Sequence, residues 1–315
     1  MKLMRSTTLL FGSLLLAALP LSSLNAEESI DSKAAAANAA YQAKAWATAG
    51  PLYEQLTQSQ PENGRNWYRL GSSLQATGKP QQAAEAFEKA KVKGAPPPMV
   101  EYGLAGAYAS MGRVDTALQH LSEAVKQGYS QPDQMSSDPD LQPLRADANF
   151  PSLLEQAKHN QKPCAYTAEN RQFDFWLGDW EAVTTNDGVP AGLSHIESTI
   201  GDCVIWENWT SLGNTGYTGK SYNTYNANLK RWEQFWVDNM GGMVDFHGTL
   251  KDGVMEYYTD DIPQPDGTNV RRHLQFFNMG PDKMHPDKVR QFSQTSADGG
   301  KTWAVEYDFT YNRKK

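Results

Sequence analysis

Cysteine is scarce: Cys164 and Cys203 are the only two in 315 residues. That excludes a disulfide-dense miniprotein and a four-cysteine zinc site. After the first 19 residues no apolar run approaches the ~18 residues of a membrane-crossing helix, so no span is expected once that segment is removed. Positive charge is in deficit, with 29 Lys+Arg against 36 Asp+Glu and a net charge of −7. Phosphate backbones call for a basic face, so no nucleic-acid partner is expected. The six histidines, His120, His159, His195, His247, His273 and His285, show no His-x-x-x-His or related spacing, and no metal site is expected. Phosphate loops and dinucleotide fingerprints are absent, and no cofactor is expected. Gly 25 and Pro 17 are ordinary and exclude collagenous or disordered chains.

What is present begins with an address. Lys2 and Arg5 precede the apolar run Leu9 to Leu19, Pro20 breaks it, and Leu24-Asn25-Ala26 ends on a small residue. This is the pattern of a cleaved leader over 1–26, and it predicts a periplasmic or secreted chain. An uncleaved N-terminal anchor is the other reading. No cysteine follows the run, so a lipid anchor is not expected.

The rest of the chain has two grammars. Residues 27–162 are rich in Ala, Gln, Leu and Glu; 163–315 are rich in Trp, Tyr, Thr, Gly and Asp and hold seven of the nine Trp. Expected domains are 27–160 and 171–315, joined by a linker at 161–170.

The first half repeats every 34 residues. Ala49, Ala83 and Ala117 recur at that interval; four residues on come Tyr53, Phe87 and Leu121, and seven on come Leu56, Ala90 and Ala124. Gly78 and Gly112 sit five residues before the second and third alanines. Trp67-x-x-Leu70-Gly71-x-x-Leu74 opens the second unit and Leu104-Ala105-x-x-Tyr108 the third. This pattern resembles the tetratricopeptide repeat, and the resemblance implies about three helix–turn–helix units. Small alanines permit close helix crossing, and a polar-faced cap must close the array; 138–154 is expected to supply it as two short helices. The repeat register puts Asn38, Tyr41, Tyr68 and Tyr102 on the concave face. They form a candidate groove for a protein or peptide, unless the tyrosines pack against the adjoining helix. No lysine lines it, so a clamp for a C-terminal carboxylate is not expected.

The second half alternates apolar and polar residues in ten runs: 173–184, 192–200, 203–211, 217–226, 231–238, 242–250, 254–260, 269–278, 287–295 and 302–311. Asp187-Gly188 and Asp252-Gly253 are hairpin turn signals. Ten up-and-down strands in about 150 residues are expected to close, which removes the sheet edges. The fold class is thus all-α plus all-β, a helical solenoid followed by an antiparallel ten-stranded barrel.

Gly178-x-Trp180, within Phe173-Asp174-Phe175-Trp176-Leu177-Gly178-Asp179-Trp180, resembles the first strand of lipocalin-like (calycin) barrels, where the Trp plugs one end. Together with Trp206-Glu207-Asn208-Trp209, Gly219-x-Ser221-x-Asn223-x-Tyr225, Trp232-x-Gln234-x-Trp236-Val237-Asp238 and Arg290-Gln291 before Ser296, it is similar to secreted bacterial domains of unknown function, which implies a fold and no activity. Ser296-x-Asp298-x-Gly300-x-Thr302-Trp303 resembles the Asp-box of sialidases; a single box implies a hairpin turn and no sialidase.

Three expectations concern sites. Cys164 and Cys203 are 39 apart and expected to bond, the alternative being free thiols. Period-2 alternation puts Glu207, Asn223, Gln234, Trp236, Arg272 and Gln291 on faces that can converge as a cavity for a small hydrophobic or aromatic ligand. The alternative is a barrel filled by its own polar network, with Glu207 paired to an arginine, in a purely structural factor. No catalytic residue is assigned; an enzymatic rival would use Glu207 or His247 as base and Arg272 to hold an anion.

Overall fold

The computed structural model describes residues 21–213 and 216–314. The expected leader thus lies outside the described residues up to position 20. Among the described residues no helix is long and apolar enough to cross a membrane. The chain divides into two compact units, 1–154 and 155–315.

The first unit stacks helical hairpins: α1 (Leu21–Gln42) with α2 (Trp46–Ser59), α3 (Gly64–Ala76) with α4 (Pro80–Val92), and α5 (Pro97–Ser110) with α6 (Val114–Lys126). Each turn needs one left-handed residue. Gly78 and Gly112 supply it at φ 75° and 74°, and Lys44 takes the equivalent place in the first hairpin at φ 55°. The 34-residue period is a burial period: Ala49, Ala83 and Ala117, then Tyr53, Phe87 and Leu121, then Leu56, Ala90 and Ala124 are all buried. Phe87 shows why. Its ring lies against Gly71 of α3 and Gly103 of α5, where a Cβ would come within 2.7 and 2.6 Å of it. One aromatic thus wedges two neighbouring units together. The array ends in α7 (Pro132–Ser137), a 3-10 turn (Pro139–Leu144) and α8 (Phe150–Gln161), with Leu141 and Leu144 fully buried. Asp138 caps the 3-10 turn by accepting from the Asp140 amide at 3.0 Å.

The second unit opens with the short helix α9 (Pro163–Tyr166) and 3-10 turns at Glu169–Arg171 and Asp174–Trp176. Its strands are β1 (Gly178–Thr184), β2 (Pro190–Thr199), β3 (Val204–Ser211), β4 (Thr218–Asn226), β5 (Arg231–Asp238), β6 (Met243–Lys251), β7 (Val254–Tyr258), β8 (Ile262–Pro263), β9 (Asn269–Asn278), β10 (Lys288–Ser296) and β11 (Ala304–Arg313). Neighbours pair antiparallel from β1 to β7, then through β9, β10 and β11, and β11 pairs back to β1. The barrel is closed by ten strands; β8 is a two-residue addition at Val270 and Asn269 that no alternation announces.

One expected strand segment is corrected. Residues 173–177 are not strand. Phe173, Phe175 and Trp176 are all buried, and consecutive buried residues cannot lie on one face of a strand. They fold as a plug instead. The Phe173 ring stacks on Trp176 and meets Phe276 edge-on, and Gly178 at φ 132° turns the chain into β1. Trp180 Nε1 donates to the Trp176 carbonyl at 2.9 Å, and Trp232 Nε1 donates to Gln172 Oε1 at 3.1 Å. Arg313 completes this end: its guanidinium sits 4.3 Å over the Trp180 ring and donates to the Leu177 carbonyl at 3.0 Å. Cys164 and Cys203 are paired, Cα atoms 4.9 Å apart, tying α9 to the turn before β3.

Candidate functional site

The barrel interior is full at the plug end and open at the other. A cavity of about 570 Å³ lies among β2, β3, β5, β6, β9, β10, β11 and the β8 segment, towards the ends of β3 and β5. Its walls are aromatic and aliphatic: Trp209, Trp236, Phe246, Leu274, Phe309 and Tyr311. Two glycines make room for the indoles. A Cβ at Gly192 would collide with the Trp209 ring, and one at Gly219 with the Trp236 ring.

Of the six residues expected to converge, Glu207, Gln234, Trp236, Arg272 and Gln291 line this cavity. Asn223 does not. It is fully buried beneath it, its Nδ2 donating to the Ile205 carbonyl at 3.3 Å and to Ser221 Oγ at 3.1 Å, its Oδ1 accepting from the Tyr257 hydroxyl at 3.4 Å. The rival base His247 is elsewhere too. It sits with Asp245, Asp260 and Asp261 around a surface hollow, because its neighbour Phe246 takes the inward place on β6.

The polar groups have distinct partners. Glu207 accepts from Ser194 Oγ and Ser221 Oγ, each at 3.0 Å. Burial pushes its carboxyl up to about 7, against the pull of those two hydroxyls. It has no arginine partner; Arg272 pairs with Glu306 at 3.1 Å instead, and Glu306 also accepts from Ser293 Oγ at 2.8 Å. Gln291 Oε1 accepts from the Tyr311 hydroxyl at 2.6 Å. At the rim Asp238 accepts from the Met240 and Gly242 amides, the Tyr217 hydroxyl and, at 3.4 Å, Trp236 Nε1. Gln234 is the exception: it is 2 % exposed and its Oε1 has no hydrogen-bond partner among the described residues. A buried amide oxygen left unpaired costs roughly 1–3 kcal/mol.

Glu306 and Tyr307, adjacent in sequence, both line the cavity. Strict alternation forbids this. The register explains it: Ser293 faces Tyr307 and Gln294 faces Val305, so Glu306 is the extra residue of a bulge. No sequence signal marks that bulge, and alternation alone assigns the β11 aromatics no direction.

In the first unit, Asn38 Oδ1 accepts from the Tyr53 hydroxyl at 2.9 Å and from Arg69, whose guanidinium lies 5.2 Å from the Tyr41 ring centroid. Tyr102 is buried, stacked on Tyr129 with centroids 4.2 Å apart, and donates to Asp138 Oδ2 at 2.7 Å. Tyr68 packs at an angle on Phe87, and burial raises its phenol to about 12. Tyr102 is therefore engaged inside the array; Asn38 lies on the surface with its side-chain oxygen taken by Tyr53 and Arg69, and Tyr41 and Tyr68 keep a partly exposed face.

A family described as tetratricopeptide repeat matches residues 34–98 and again 68–132. These residues carry tetratricopeptide repeats, followed by the closed antiparallel barrel. The chain is similar to a chloroplastic protein of Arabidopsis thaliana, 37% identical over 93 residues, or 28% of this chain and 27% of that protein. The chain thus spans about a quarter of the length of that curated relative. Among solved structures it is similar to the type III secretion translocator chaperone SycD of Yersinia enterocolitica, at 19% identity and TM-score 0.33, covering 44% of this chain and 90% of that one. It is also similar to the TPR2B domain of yeast Sti1 in its pHsp70 complex, at 16% identity and TM-score 0.31, covering 41% and 94%.

Proposed function

We propose that this protein is an exported adaptor whose repeat array docks a protein or peptide and whose calycin-like barrel binds one small hydrophobic or aromatic ligand. The observation that carries the ligand reading is the unpartnered Gln234 Oε1 in an aromatic-walled cavity of about 570 Å³. A cavity of this size falls in the range of small-molecule sites, which combine apolar walls with a few placed polar groups. A ligand that donates to this oxygen removes the cost of leaving it unpaired. Export is supported by the leader pattern and by the Cys164–Cys203 pair, which suits an oxidising compartment. Docking is supported by the repeats and by the partly exposed faces of Tyr41 and Tyr68 on the expected concave side.

Native mass spectrometry of the full chain purified from its own host tests the ligand reading. A bound small molecule in unaltered protein that disappears in Gln234→Leu is the expected result. That substitution keeps volume and removes the polar atoms. Loss of the adduct with an unchanged melting temperature separates recognition from packing, and an adduct retained in Gln234→Leu removes Gln234 from the site.

A further inference from the structure

We infer that the barrel ligand is an amphipathic amine, its N–H donating to Gln234 Oε1 and its positive charge balanced by Glu207. The inference rests on the ligand reading above and deepens it. The charged inventory of the cavity is lopsided towards the negative. Carboxyls at Glu207, Asp238 and Glu306 face one guanidinium, Arg272. Arg272 is already held by Glu306, so an anionic ligand would have to break that pair. Asp238 is filled by four donors at the rim. Among the described residues Gln234 Oε1 has no donor, and Glu207 has two hydroxyls but no cation. What the protein leaves unmet is one hydrogen-bond donor and one positive charge. An ammonium supplies both, and the rings of Trp209, Trp236, Phe246 and Phe309 take the apolar remainder. A neutral alcohol supplies the donor alone, and a carboxylate supplies neither.

The charge of Glu207 makes the assignment pH-sensitive. Titratable groups facing it are the phenols of Tyr307 and Tyr311 on β11; burial raises both, followed by Glu306 and then Glu207 at Tyr307, and by Glu207 at Tyr311. The strands on either side offer only the hydroxyls of Ser194 and Ser221, and the cavity adds Arg272, Glu306 and Asp238. With the carboxyl near 7, acidification neutralises the counter-charge before it affects an aliphatic amine. Amine affinity therefore falls below neutrality by up to about tenfold per pH unit.

Isothermal titration calorimetry of the full chain tests this with three probes of one size: 2-(1-naphthyl)ethylamine, 2-(1-naphthyl)ethanol and 1-naphthylacetate. At pH 8 the amine is expected to bind at least about tenfold more tightly than the alcohol, with the carboxylate weakest; by pH 5.5 the amine's advantage should be gone. Glu207→Gln should equalise amine and alcohol at pH 8. If that variant does not fold, the pH profile of the unaltered protein decides. Equal binding of amine and alcohol at pH 8, or an amine affinity indifferent to pH, overturns the amine assignment and leaves the pocket standing. Preference for the carboxylate overturns it in favour of Arg272. Binding of none of the three overturns the pocket reading itself and the amine assignment with it.

Discussion

The Trp236 indole occupies the space that a side chain on Gly219 would need. The two residues sit on paired strands, Gly219 opposite Asp238, and the ring that crosses the glycine forms one wall of the cavity. Gly219→Ala should therefore push the indole off its seat. A stability lowered by roughly 1–3 kcal/mol and a shifted tryptophan emission are expected. An unchanged emission would mean that the ring does not rest there.

Glu207 gives the barrel a pH dependence of a particular sign. Its folded carboxyl is raised from 4.5 to about 7. Below about pH 4.5 the folded and unfolded states are both protonated and the contribution is complete. As pH rises the unfolded chain ionises first, so stability is lost up to and through pH 7 and levels off above it. The loss is on the order of 3 kcal/mol. Denaturant titrations from pH 4.5 to 8 should show Glu207→Gln flatter than the parent protein. Parallel profiles would show that Glu207 ionises normally.

The Cys164–Cys203 bond closes a loop of separation 39 that includes the plug. In the chain-entropy picture it stabilises the second unit by roughly 3–4 kcal/mol. Replacing both cysteines by serine, or adding reductant, should lower the barrel's melting transition by that equivalent. The test is a melt followed through tryptophan emission, and an insensitive transition would remove the bond from the stability of this unit.

Ala83 is fully buried where α4 meets its neighbours. Ala83→Leu has no room and should cost the repeat array roughly 1–3 kcal/mol. Calorimetry should show one transition lowered and a second, belonging to the barrel, unmoved. A common shift of both would argue that the two units do not melt independently.

The helical half was legible because its register is carried by backbone-level necessities. Ala83 must be small, Phe87 must fill the gap, and Gly78 must take a positive φ; each leaves a residue type at a fixed spacing. The strands were legible for the same reason at period two. On β3 to β5 the polar residues Glu207, Ser221, Asn223 and Gln234 all fall on the inward face. The failures occur where a period is interrupted. The plug at 173–177 has alternating-looking letters but buries adjacent residues. The bulge at Glu306 inserts one residue into β11, and with it one more carboxyl into the cavity. Partner choice was also illegible: Glu207 faces two serines, while the arginine of the same cavity is held by Glu306. Sequence spacing says which face a residue takes, whereas pairing depends on distances across the barrel.

Among the described residues, the plug of Phe173, Phe175 and Trp176 makes the barrel a vessel with a single door. A ligand of the kind proposed would leave only by the way it came, and no second molecule could push through from behind. Turnover of such an occupant would be set by the vessel emptying itself. Flooding the surroundings with a rival would change what enters next without hastening the departure of what is already inside.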